Sequence, residues 1–168
     1  FKEAGFQWAT QFAYDPVGIA DTNSDYNTHY LNLLYTPSKA ISFMIAGEVF
    51  RQVPRKQKQA NYPASNQFNI AQGKVSVDYH EDLSVLNSPT QFLYSNTTED
   101  VPVDTAKLQK IAGVGSSSLV RYSGSGAYFL DKLESGQWRL EVYPDVLPIH
   151  FLLNTSDAAD PRDRGKPC

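Results

Sequence analysis

The stretch 127–143, AYFLDKLESGQWRLEVY, decides the fold class. Two β-prone runs, 127–133 and 138–143, flank Glu134-Ser135-Gly136-Gln137, a short polar connection of the kind that closes a hairpin. In the second run Trp138, Leu140 and Val142 alternate with Arg139 and Glu141, a period of two. That alternation reads Trp138 as a core residue and turns Asp131 and Glu141 toward solvent.

The same period extends upstream. Val75, Val77 and Tyr79 alternate with Ser76 and Asp78, and Gln91-Phe92-Leu93-Tyr94 forms another short run, as does 119–122. Asp104 is placed to cap one helical turn over 105–110. Gly113-Val114-Gly115-Ser116-Ser117 superficially suggests a phosphate loop. It lacks the lysine and the following helix, so a tight turn between strands is the better reading, as it is for Gly124-Ser125-Gly126. Several short strands separated by Gly, Ser, Asn and Pro point to a mainly β fold, a β-sandwich or jelly-roll-like domain.

Ahead of this domain the spacing changes. Thr36 is placed as an N-cap and Pro37 at the first helical position. Ala40, Ile41, Met44, Ile45 and Val49 follow at helical intervals, and Phe43, Ala46 and Phe50 widen the stripe. Such a helix expects cover on more than one side. Arg51 suits its C-terminal end, and Pro54 stops it. Residues 6–14, FQWATQFAY, suit a buried strand. Phe1 to Gly5 reads like a helix end closed by glycine, which leads us to expect a piece of a larger chain. The organisation expected is therefore an N-terminal helix-bearing segment over 1–55, a linker over 56–67, a β-domain over 68–150 and a loosely attached or cloning-derived tail over 151–168.

Composition narrows the function classes. With 41% hydrophobic and 20% charged residues the chain can build a core, and a formal charge of −3 argues against a broad nucleic-acid or anionic-lipid footprint. Arg51, Arg55, Lys56 and Lys58 cluster, but without interleaved aromatics they read as a solvated linker. Cys168 is the only cysteine, so there is no Cys-rich metal site. His29, His80 and His150 lie outside metal-ligand spacing, and His80-Glu81-Asp82 reads as a polar loop. No cofactor is expected, although loop carboxylates leave room for a structural calcium. No run approaches the about 18–20 apolar residues of a membrane span.

Sugar binding combines aromatic faces with amides and carboxylates that grip hydroxyls. Trp8, Gln11, Tyr14 and Asp15 offer that combination. Tyr26, Asn27, His29, Tyr30 and Asn32 offer it again in the following loop. We take Trp8, Gln11, Tyr14, Asp15, His29 and Tyr30 as the candidate ligand-binding set, against the plainer alternative of core aromatics and a capped loop. Glu48, Asp131, Glu134 and Glu141 are carboxylates that nothing in the sequence marks as a catalytic pair.

FQWATQFAYDP (6–16), THYLNLLYTPSKAISFMIAGEVFRQVP (28–54) and GSGAYFLDKLESGQWRLEVYPD (124–145) together resemble the C-terminal part of large bacterial proteins of the glycoside-hydrolase type. The resemblance covers roughly residues 1–146. It implies that 6–14 is the last strand and 36–53 the last helix of a (β/α)8 barrel, with a β-sandwich over 68–146. Tyr14 and Asp15 would then lie near the barrel rim, where such enzymes place their sites. The usual catalytic glutamates come from earlier strands, so catalysis by the ordinary two-carboxylate route is not expected.

The leading expectation is a non-catalytic accessory or carbohydrate-binding module. The alternatives are a glycan-active hydrolase with an atypical carboxylate site and a structural scaffold domain. The partner would be a polysaccharide or oligosaccharide, the location secreted, periplasmic or cell-surface. Residues 6–50, apolar and without the rest of a barrel, would pack on the β-domain or join copies of the chain.

Overall fold

The computed structural model describes residues 1–10, 31–58 and 67–144. Helix α1, Pro37–Gln52, forms where the apolar spacing places it, with proline in its first turn. Thr36 holds the N-cap position, but its hydroxyl does not cap the helix. It donates to the Asn32 carbonyl at 2.9 Å and accepts from the Asn32 N–H at 2.8 Å. Asn32, fully buried, accepts from the Leu34 and Tyr35 N–H groups through Oδ1. An asparagine turn therefore orders the entry to the helix, and the threonine locks that turn.

Among the described residues seven strands follow, all in one sheet: β1 (Gln67–Ile70), β2 (Gly73–Asp78), β3 (Leu83–Asn87), β4 (Gln91–Tyr94), β5 (Lys110–Val114), β6 (Ala127–Glu134) and β7 (Gln137–Val142). They lie in chain order, each antiparallel to the last except β4 and β5, which are parallel. The mainly β fold with a preceding helix is what the sequence leads one to expect. The finer sandwich or jelly-roll arrangement is not seen among the described residues, because no second sheet faces the first.

Period-two alternation divides the sheet into two faces. One row runs Val75, Leu86, Leu93, Ala112 and Phe129 across paired positions. Ile41 and Ile45 of α1 pack on this row to form one aliphatic cluster with Val53, Val75, Leu86 and Leu93. Full burial of each isoleucine is worth about 1.5–3 kcal/mol. Helix and sheet thus share a core, and the helix is covered chiefly on that side; Phe43 remains 44% exposed.

The opposite face carries Val85, Phe92, Tyr94, Ile111 and Tyr128. Its cover is not regular structure. The β4–β5 connection, 95–109, and the segment 115–126 lie on it, contributing Leu108, Val120 and Tyr122. Parallel neighbours need a long crossover, and here Asn87 ties that crossover down. Its side chain donates to the Val101 carbonyl at 2.8 Å and accepts from the Val103 N–H at 2.9 Å. Asp104 caps a single turn, accepting from Ala106 and Lys107, but Lys110 already belongs to β5.

Three local expectations need correction. Residues 6–10 form no strand, because no neighbouring strand supplies a ladder and their aromatics face solvent. Gly113 is not a turn residue. It lies within β5, paired with Tyr94 and Tyr128, and a Cβ there would overlap the buried Tyr94 ring. Residues 119–122 form no strand; they belong to the loop cover. At the N-terminus residues 2–5 form a turn. Phe6 N–H donates to the Phe1 carbonyl and Gly5 N–H to Lys2, with Gly5 at φ +96°, the paired closure of a Schellman motif.

Candidate functional site

A cleft of about 380 Å3 lies where α1 crosses β4 and β5. Phe43, Gly47 and Arg51 recur at four-residue intervals along the helix, and Met44 and Glu48 form the neighbouring row. Leu93 and Met44 line its apolar part, and Gln91 and Lys110 come from adjacent positions of the parallel pair. Gly47 carries no side chain, which keeps the middle of the helix wall open.

Charge continues across the sheet from this cleft. Gln91, Lys110, Asp131 and Arg139 are successive partners on β4 to β7. Lys110 Nζ lies 2.8 Å from Asp131 Oδ1, and Arg139 lies 3.1 Å from Asp131 Oδ2. Asp131 is therefore half-buried between two cations rather than turned to solvent, which corrects the sequence reading. The hydrogen bond from Lys110, set against partial burial and supported by Arg139, holds its carboxyl below the ordinary value.

Glu48 is governed by a balance. Burial opposes its ionisation, but hydrogen bonds from Arg51 and Gln52, the Arg51 charge and a hydrogen bond from Gln91 outweigh it and lower its pKa. Gln52 Nε2 donates to Glu48 at 3.2 Å, and Arg51 pairs directly with the same carboxylate. Both carboxylates are thus ionised at neutral pH. They can accept hydrogen bonds there but cannot serve as general acids, which requires a raised pKa.

The sequence-derived set does not assemble at this cleft. Trp8 is 72% exposed in the irregular N-terminal segment and does not line it. Gln11, Tyr14, Asp15, His29 and Tyr30 lie outside the described residues. Asn32 is a buried turn former. Trp138 is half-exposed on the outermost strand, so the core placement expected from its alternation is corrected. His80, Glu81 and Asp82 lie on an exposed turn. Among the described residues no group of three or more His, Cys, Asp or Glu side chains converges, and no helix is long and apolar enough to cross a membrane.

In the sequence Phe43 reads as part of the apolar stripe, Glu48 as an unassigned carboxylate and Arg51 as suited to the helix end, not as one site. Gln91 and Lys110 give no signal, because only the parallel register brings them together. No protein-family model, curated protein or solved structure matches the chain.

Proposed function

We propose that this chain is a non-catalytic, carbohydrate-binding accessory domain of a glycoside-hydrolase-like protein, with the α1–β4–β5 cleft as its contact site. The observation that carries this reading is the juxtaposition at the cleft. Phe43, 44% exposed, stands beside an ionised carboxylate, an amide and an ammonium group. An aromatic face suits the C–H surface of a sugar ring, and the three polar groups suit its hydroxyls. The resemblance of 1–146 to glycoside-hydrolase-type proteins gives the context, and with it a secreted, periplasmic or cell-surface setting.

The lowered pKa values of Glu48 and Asp131 favour binding over hydrolysis, since an atypical carboxylate site would need one group held protonated. Affinity electrophoresis through gels of plant polysaccharides tests the proposal. Retardation of the full chain on at least one polysaccharide, reduced about tenfold or more in apparent affinity by Phe43→Ala and by Gln91→Ala, is expected. No retardation on any of them, or retardation indifferent to both substitutions, would defeat it.

A scaffold reading draws on a separate observation: among the described residues no two exposed aromatics share a face of the sheet. A glycan platform on the open sheet is therefore the weaker form of the binding hypothesis, and the cleft is the stronger.

A further inference from the structure

Strand β7 ends the described sheet, and all six of its residues are exposed. Every second residue of such a strand directs its N–H and C=O away from the sheet, ready to pair with another strand. On one face it shows Trp138, Leu140 and Val142, which are 38%, 60% and 48% exposed. On the other it shows Arg139 and Glu141, paired with Asp131 and Phe129 of β6.

We infer that β7 is the contact edge for a second copy of this chain, joined antiparallel about a twofold axis at Leu140. The argument is the self-complementarity of Gln137–Val142. In a Leu140-centred pairing Arg139 stands opposite the second copy's Glu141 and Glu141 opposite its Arg139. On the other face Trp138 meets Val142, and the two leucines meet on the axis. The two neighbouring face-preserving registers fail. Centring on Arg139 sets arginine against arginine, and centring on Glu141 sets glutamate against glutamate, each an unfavourable cross-strand pair. Only the middle register satisfies charge and continues the apolar stripe, and a twofold contact of this kind must be self-complementary. Because one six-residue edge buries little area, the dimer is weak and concentration-dependent.

Sedimentation velocity on the full chain from about 10 µM to about 1 mM tests this. The wild type should shift from monomer to dimer across that range. Arg139→Glu and Glu141→Arg should each raise the dissociation constant about tenfold or more. The double variant R139E/E141R should recover the wild-type value. Mixing the two single variants should give a heterodimer tighter than either homodimer, because every charged pair is then opposite. Circular dichroism checks that each variant folds.

A second measurement leaves the charges alone. Leu140→Cys in a Cys168→Ser background should form a disulfide-linked dimer under mild oxidation, since directly opposed Cα atoms lie about 4.5–5.5 Å apart, within disulfide reach. Four results would overturn the inference: a wild-type monomer at the highest concentration, a dimer indifferent to both charge reversals, no association on mixing, or no cross-linking at position 140. Slow hydrogen exchange at β7 amides in a monomer would likewise overturn it, by showing that the chain covers its own edge.

Discussion

The two faces of the sheet are built from different materials. The core of the helix-covered face is aliphatic, with Ile41 and Ile45 on Leu86, Leu93 and Ala112. The loop-covered face is aromatic. Tyr128 meets Tyr94 and Tyr122 edge to face and Phe92 lies tilted against Tyr94, at centroid separations of 5.1–6.2 Å, and Tyr94 and Tyr128 share a hydrogen bond between their hydroxyls. Tyr128 also donates to the Gly115 carbonyl at 3.0 Å. A helix satisfies its own backbone, so a greasy contact suffices to hold it. A loop does not, and the face that loops cover carries hydroxyls that hold backbone as well as rings that fill space.

The sharpest way to break this comparison is to remove one large side chain from each face. Phe92→Ala should cost about 3–5 kcal/mol and Ile41→Ala about 2–5 kcal/mol, read as urea midpoints. If the helix shares its core with the sheet, α1 and β-sheet signals should be lost at the same midpoint in both variants. A helix that melts ahead of the sheet in Ile41→Ala would separate what the structure joins.

A smaller effect isolates the polar device of the aromatic face. Tyr128→Phe removes the hydroxyl that bonds both Tyr94 and Gly115 while keeping the ring, and should cost about 1–3 kcal/mol. The same pair sets the alkaline limit. Burial, and then the hydrogen bond and charge of Tyr94, push the Tyr128 pKa well above 10.0; burial also raises Tyr94, against opposing hydrogen bonds from Ser117 and Tyr128. A raised folded pKa gives stability that is complete below pH 10 and declines above it, because the unfolded chain ionises first. Stability should therefore fall as pH rises past about 10, less steeply in Tyr128→Phe. A flat profile to pH 12 would show that the phenols ionise equally in both states.

The smallest effect belongs to the helix-covered side. Glu48 and Asp131 have lowered folded pKa values, so their contribution is present above the ordinary values of 4.5 and 3.8 and is lost as pH falls through and below them. Both pairs have a well-exposed cation, so solvent screens them and the acid loss should be under about 1 kcal/mol per pair. Lys110→Met should flatten part of that acid limb.

The helix was legible because Pro37 and the spacing from Ala40 to Val49 are local signals. The β6–β7 hairpin was legible for the same reason, although the turn is the tighter Ser135-Gly136. What escaped depends on distant pairing. Nothing in residues 95–109 announces a crossover to a parallel neighbour, so β4 and β5 could not be set side by side, nor Gln91 beside Lys110. Alternation tells which side of a strand is apolar but not whether anything lies over it, which is why Trp138 read as core. Gly113 read as a turn because its reason, the Tyr94 ring, lies on another strand. Of the candidate site, Phe43 and Glu48 read only as apolar stripe and unassigned carboxylate, while Trp8 sits in solvent and its companions lie outside the described residues.

The central functional claim rests on the cleft at the helix–sheet crossing. It is tested most directly by residue-resolved NMR of the full chain titrated with soluble oligosaccharides cut from any polysaccharide that retards it. The account expects saturable shifts grouped at Phe43, Gly47, Glu48, Gln91 and Lys110, with the Gln91 side-chain amide among the largest. Saturable shifts confined to other surfaces, or none at millimolar sugar, would contradict it.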